Sequence, residues 1–110
     1  MGRREINQYE VFWVDLSPTI GSEISKKRPC VVISPDEMNE HLHTVIVAPL
    51  TSTIKKYPYR VDCVVNGKSG SIALDQIKTT DKVRFSNCMG KLSLSEISSV
   101  RNVLREMLTE

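Results

Sequence analysis

The segment Tyr57-Pro58-Tyr59-Arg60-Val61-Asp62-Cys63-Val64-Val65-Asn66-Gly67 alternates two kinds of side chain. Tyr59, Val61, Cys63 and Val65 fall on one side of an extended chain, Arg60 and Asp62 on the other. A period of two marks a half-buried strand. Asn66-Gly67 then supplies two residues that tolerate positive φ, as the tight turn of a two-residue hairpin requires. A return strand follows over 71–77, with Gly67 and Gly70 as turn residues and Asp75 in mid-strand.

The same reading extends to both sides. In Val11-Phe12-Trp13-Val14-Asp15-Leu16, Phe12, Val14 and Leu16 share one strand face, and Val11 and Trp13 share the other. Both faces want cover, with Phe12 and Trp13 read as core. Ser17-Pro18-Thr19-Ile20-Gly21-Ser22 is rich in turn formers, and the loop continues to Lys26-Lys27-Arg28-Pro29, where Pro29 biases Arg28 towards extended backbone. The runs 30–33 and 44–50 are continuously apolar, as strands buried on both faces are, the second stopping near Pro49. Ser34-Pro35-Asp36-Glu37 signals a short helix capped by Ser34. Residues 85–89 read as a further strand closed by Gly90. Ser93-Leu94-Ser95-Glu96 is a capping box. Behind it Leu94, Ile97, Val100, Leu104 and Leu108 share one face, with Val103 and Met107 beside it, predicting a helix over about 93–108. The expected class is mainly β with some α. It is a small barrel or half-open sheet of five to seven strands, with a short helix after Ser34 and a closing helix, in one domain over 1–110.

A chain of 110 residues, with 40% hydrophobic and 25% charged residues, can bury a core without staples, which excludes disordered and collagen-like architectures. No apolar run approaches a membrane span, and Met1 to Glu5 leads into polar sequence with no expected signal peptide or lipid anchor. Cys30, Cys63 and Cys88 are odd in number and widely spaced, as reduced thiols of a cytoplasmic protein are. The net charge of +2 neither demands nor excludes a nucleic-acid partner. Phosphate-binding glycine loops, zinc-protease and serine-hydrolase motifs are absent. His41 and His43 have no third ligand nearby in sequence, so neither a metal nor a cofactor is expected. The features with chemical potential are the basic loop 21–29, the hydroxyl-rich Thr51-Ser52-Thr53, and Asp75, which must reach solvent or a partner.

Taken in order, these segments resemble the MazF/PemK family of endoribonuclease toxins. The resemblance is carried by Phe12-Trp13-Val14-Asp15-Leu16-Ser17-Pro18, Gly21-Ser22-Glu23 and Arg28-Pro29-Cys30-Val31-Val32-Ile33-Ser34. It continues in Ala48-Pro49-Leu50-Thr51-Ser52, Leu74-Asp75-Gln76-Ile77-Lys78-Thr79-Thr80-Asp81 and Gly90-Lys91-Leu92. It implies an SH3-like barrel of the CcdB/PemK type, a homodimer, and metal-independent cleavage of single-stranded RNA. By position, Arg28 and Thr51 match the family's catalytic arginine and threonine, and Ser22, Glu23 and Gln76 match groove residues. A subgroup carries histidine at position 22 and arginine at position 73. Here Ser22 and Ala73 stand there, so that subgroup's acid–base scheme does not carry over whole.

The chemistry suits these residue types. RNA carries its own nucleophile in the 2′-hydroxyl, so the protein must align it, stabilise charge and move protons. Arg28 offers a permanent planar fork to phosphate oxygens, and Thr51 a rigid hydroxyl. Glu23 or Asp75 can take the 2′ proton. Lys26, Lys27, Lys55, Lys56 and Arg60 are candidates for a backbone path. Ser52 and Tyr57 join the RNA-binding candidates, Tyr57 as a base-stacking ring. An acidic, extended antitoxin segment suits the same groove. Two other readings are a gyrase poison of the CcdB type and a non-catalytic SH3-like binding module. The poisons act through a tryptophan near the carboxyl end, whereas Trp13 is the one tryptophan here.

Overall fold

The computed structural model describes residues 5–18, 20–24, 26–53 and 57–109. Seven strands form one curved sheet. They are β1 (Glu10–Asp15), β2 (Lys27–Val32), β3 (Thr44–Thr51), β4 (Arg60–Val65), β5 (Lys68–Ala73), β6 (Lys78–Asp81) and β7 (Phe85–Lys91). A short helix, α1 (Asp36–His41), precedes β3, and a longer one, α2 (Leu94–Leu108), closes the chain. The strand order is β4-β5-β3-β2-β1-β7, with β6 also paired to β3. Every pairing is antiparallel.

The continuous apolar runs arise because the sheet is covered on both faces. Val11, Val31 and Ala48 lie in one core with Leu50, Val61, Cys63, Val65, Ile72 and Val100. Their chain neighbours Phe12, Cys30, Val32 and Val47 lie in a second core with Val14, Leu16, Val45 and Phe85. Alternation thus sends successive side chains to two different interiors. The Phe12 and Phe85 rings meet with centroids 5.4 Å apart and planes at 59°.

Several boundaries differ from the sequence reading. β3 runs through Pro49 to Thr51 and does not stop at the proline. On one edge β3 pairs with β6 over 44–47 and with β5 over 50–51. Pro49 falls in the change of partner, where a residue without an N–H disturbs a ladder least. Residues 71–77 are not one strand: β5 ends at Ala73, a 3₁₀ turn covers Leu74–Gln76, and β6 follows. Asp75 is therefore in a turn. Gly90 (φ 140°) lies inside β7, whose register against β1 is bulged. Ser34 does not cap α1, because Pro35 holds that position. The Ser34 hydroxyl instead donates to Asn39 Oδ1 at 2.5 Å and accepts from the Ile46 N–H at 3.0 Å, pinning α1 to β3. Asn66 (φ 52°) and Gly67 (φ 75°) make the hairpin turn as expected, with Val65 facing Lys68.

α2 carries the full capping box. The Glu96 N–H donates to Ser93 Oγ at 3.2 Å, and the Ser93 N–H donates to Glu96 Oε1 at 2.8 Å. Glu96 Oε2 also accepts from the Val64 N–H at 2.8 Å, tying the helix start to β4. Burial alone would raise this carboxyl's pKa, but the bonds from Ser93 and Val64 outweigh it and leave it below the ordinary value. Val100 is fully buried, and Ile97, Val103, Leu104 and Met107 pack around it. Full burial of one such side chain contributes roughly 1.5–3 kcal/mol. Leu94 and Leu108, expected on the same buried face, are 86% and 63% exposed, at the first and last positions of the helix. Ser93→Ala should lower unfolding free energy by about 1 kcal/mol, read from urea midpoints at fixed chain concentration.

Candidate active site

Arg28 is part of β2 and not of the loop before it. Against β3, Cys30 faces Pro49 and Val31 faces Ala48. Arg28 faces Val14 of β1, and Thr51 faces Ser71 of β5. Arg28 and Thr51 are thus each placed by paired strand backbone, and both line one hollow. β-branching restricts the Thr51 side chain, and its Oγ1 is held in a local turn. That oxygen donates to the Thr53 carbonyl at 3.0 Å and accepts from the Thr53 N–H at 2.9 Å. Gly70 lets β5 approach here, since a Cβ on it would lie 3.2 Å from the Thr51 carbonyl oxygen.

Two hollows hold most of the expected residues. One, of about 360 Å³, is lined by Arg28, Thr51, Ser52, Lys26 and Lys27, together with Trp13, Lys68 and Met89. The other, of about 370 Å³, is lined by Ser22, Glu23, Asp75 and Gln76, with Pro49 and Lys78. Pro49 lines the second and Leu50 the first, and the loop before β2 contributes to both. Among the described residues, the expected site residues are thus divided between two hollows, except Tyr57 and Arg60, which line neither. Lys55 and Lys56 lie outside the described residues.

Several side chains are already committed. The Glu23 carboxylate accepts from the Ile20 N–H at 2.6 Å, holding its own turn. Gln76 Oε1 accepts from the Ile24 N–H at 2.8 Å, fastening the loop to the turn after β5. Arg60, expected along a phosphate path, donates to Asp75 through Nε at 2.7 Å and Nη2 at 3.2 Å. Its guanidinium carbon also lies 5.2 Å from the centroid of the half-exposed Tyr57 ring. The hydrogen bond from Arg60 holds the Asp75 carboxyl below its ordinary pKa, more than offsetting partial burial. Asp75 is accordingly a weakened base.

Trp13 was expected in the core, yet it is 37% exposed and lines the hollow with Arg28. Lys68, Lys78 and Met89 were not singled out either, because nothing in their local sequence separates them from ordinary strand residues. Cys30 and Cys63 are poor nucleophiles: burial pushes their thiols up to about 12 and about 11. Among the described residues, no three His, Cys, Asp or Glu side chains cluster as metal ligands would. None of the helices among them is long and apolar enough to cross a membrane.

Residues 7–108 match the PemK-like, MazF-like toxins of type II toxin–antitoxin systems. The chain belongs to this family. An endoribonuclease MazF from Staphylococcus epidermidis is 36% identical, the match covering 90% of this chain and 88% of that protein. The crystal structure of MazF from Deinococcus radiodurans superposes with a TM-score of 0.86 at 25% identity, covering 96% of this chain and 98% of that one. A mycobacterial endoribonuclease solved with its cognate antitoxin shares the fold at a TM-score of 0.80 and 20% identity, covering 94% of each chain. The MazF-like half-barrel with its closing helix is therefore the architecture of this chain.

The Arg60–Asp75 pair makes stability depend on pH. Asp75 binds a proton less readily in the fold than in the unfolded chain, so the unfolded state takes up more protons as pH falls. The pair's contribution is present above about pH 4, the ordinary aspartate value, and is lost as pH drops through the lowered folded value. Asp75→Asn should be less stable than the wild type at pH 7. Its urea midpoint should also change less between about pH 5 and pH 2.

Proposed function

We infer that this MazF-like toxin is an endoribonuclease acting on single-stranded RNA, with Arg28 and Thr51 as its catalytic residues. The observation that carries the reading is that Arg28 and Thr51 line one hollow together with Lys26 and Lys27. The 36% identical relative is itself an endoribonuclease.

In this mechanism the 2′-hydroxyl attacks the adjacent phosphorus and the 5′-oxygen leaves. The products are a cyclic phosphate, which can open to a 3′-phosphate, and a free 5′-hydroxyl. Arg28 stabilises the extra negative charge of the phosphorane, and its pKa above about 12 makes it a poor proton donor. The Thr51 hydroxyl turns from Thr53 to a phosphate oxygen. Of the two carboxylates, Glu23 is the better acceptor for the 2′ proton, because Arg60 stabilises the Asp75 anion. Asp75 then serves to position Arg60. In this reading Ser22, Ser52, Tyr57 and Gln76 meet flanking nucleotides, and Lys26 and Lys27 favour the phosphate chain. The nucleophile comes from the substrate, so the scheme requires no metal.

The toxin's other partner is its antitoxin. An acidic, extended segment of it would match the lysines at the same hollow and compete with RNA. A homodimer is also proposed, although only half of its first-strand rationale stands. Val11 is fully covered within the chain, whereas Trp13 remains partly exposed.

Single-turnover cleavage of RNA in EDTA tests the scheme. Wild-type protein should leave 5′-hydroxyl ends. Arg28→Ala should cut about 10²–10³ times more slowly while keeping its circular dichroism. Arg28→Lys should recover little of that, because a point charge does not replace a fork. Thr51→Val should slow cleavage by a smaller factor. Arg28→Ala cutting at the wild-type rate, or cleavage lost in EDTA and restored by magnesium, would overturn this assignment. Separately, Glu23→Gln should slow cleavage more than Asp75→Asn does.

A further inference from the structure

Two buried hydroxyls, Ser71 Oγ and Thr80 Oγ1, have no hydrogen-bond partner among the described residues. Thr80 faces Val45, whose side chain has no polar atom. Ser71 is different, because it faces Thr51. It is fully buried in β5, whereas Thr51 is half-buried at the end of β3. The preceding pair, Leu50 and Ile72, lies in the core that also holds Val100. Alternation therefore puts the Thr51 and Ser71 side chains together on the opposite face. Residues directly across an antiparallel pair have Cβ atoms roughly 4.5–5.5 Å apart. Two short hydroxyls at that separation reach each other once their rotamers turn inward. On its other side Ser71 faces Asp62 of β4, which is exposed and open to water.

The Thr51 hydroxyl is occupied in this structure. Its Oγ1 donates to the Thr53 carbonyl and accepts from the Thr53 N–H. To donate to a phosphate oxygen it must leave both, and its own oxygen then lacks a donor. Ser71 holds the donor that this state lacks. An unpartnered buried hydroxyl is a cost to the fold that carries it. Beside a reactive group, it is a bond held back for another state of the site.

We propose that Ser71 is a positioning residue for the cleavage reaction. When Thr51 turns from Thr53 to the phosphate, the Ser71 hydroxyl donates to Thr51 Oγ1 and aims the Thr51 proton at a phosphate oxygen. Ser71 lines neither hollow, so it acts through Thr51 and not on the RNA. The bond is absent from the resting site and is gained on the way to the transition state. Only interactions that strengthen there speed the chemical step. A chain of two hydroxyls also polarises the outer one. The proposal rests on the ribonuclease reading and adds to it the group that holds Thr51 in its working rotamer.

Ser71→Ala deletes one oxygen and should move rate and stability in opposite directions. Single-turnover cleavage of a short RNA at saturating protein should be about 3- to 10-fold slower. The protein concentration that gives half the maximal rate should not change, because the bond forms after binding. The urea midpoint should equal or exceed that of the wild type, since an unsatisfied hydroxyl is gone. In Thr51→Val protein the same substitution should alter the rate by less than about twofold, because the group it positions is absent. Ser71→Cys, close in size but a weak donor, should stay slow. The proposal is overturned if Ser71→Ala cuts at the wild-type rate, or if it slows Thr51→Val protein by the same factor. It is also overturned if the slower rate comes with a lower urea midpoint, as a merely structural serine would give. A wild-type chain that cuts no RNA would overturn the ribonuclease reading itself. Wild-type cleavage with Thr51→Val unimpaired would overturn the role of Thr51, and this one with it.

Discussion

Strand β3 has to satisfy three partners at once, β2 along one edge and then β6 and β5 in turn along the other. Its register against β2 also sorts every inward side chain. Cys30 and Val47 must enter one core while Val31 and Ala48 enter the other. A slip of one residue would exchange the two sets, and two buried faces resist that more strongly than one. Arg28 lies on β2 and Thr51 ends β3, so the packing of both cores also helps to hold the hollow that the two residues line.

Around the site the polar groups hold one another before they hold a substrate. Glu23 closes its own turn, Gln76 fastens the loop to the turn after β5, and Asp75 grips Arg60 under Tyr57. Each bond lowers the entropy that RNA binding would otherwise have to remove. The Arg60–Asp75 pair also separates the chemistry of the two carboxylates. A guanidinium beside Asp75 weakens it as a base, and no such partner is recorded for Glu23 among the described residues.

The bulged pairing of β7 has a different effect. A regular ladder would have given Trp13 a partner on that side, whereas the observed register passes it by and leaves an aromatic surface beside the cations of the hollow. Sheet irregularity and site architecture are thus one feature, seen once in the hydrogen-bond pattern and once in the shape of the hollow.

Much of this was legible from local pattern. The alternation of 59–65 with Asn66-Gly67 specified the hairpin, and Ser93 with Glu96 specified the helix start, because both depend on contacts within a few residues. The family resemblance singled out Arg28 and Thr51, and both line one hollow. Other features depend on residues far apart in the chain. Asp75 read as mid-strand because the turn after β5 is imposed by β6 pairing back onto β3. Its partner Arg60 lies 15 residues away, and no local pattern announces that bond. Trp13 read as core because a large aromatic in a strand normally is. Composition and periodicity alone determined that this chain is a small β structure closed by a helix. Only the tertiary structure decided which side chains are paired, which is exposed and which meet across strands, because those outcomes follow from the relative register of strands that the sequence holds apart.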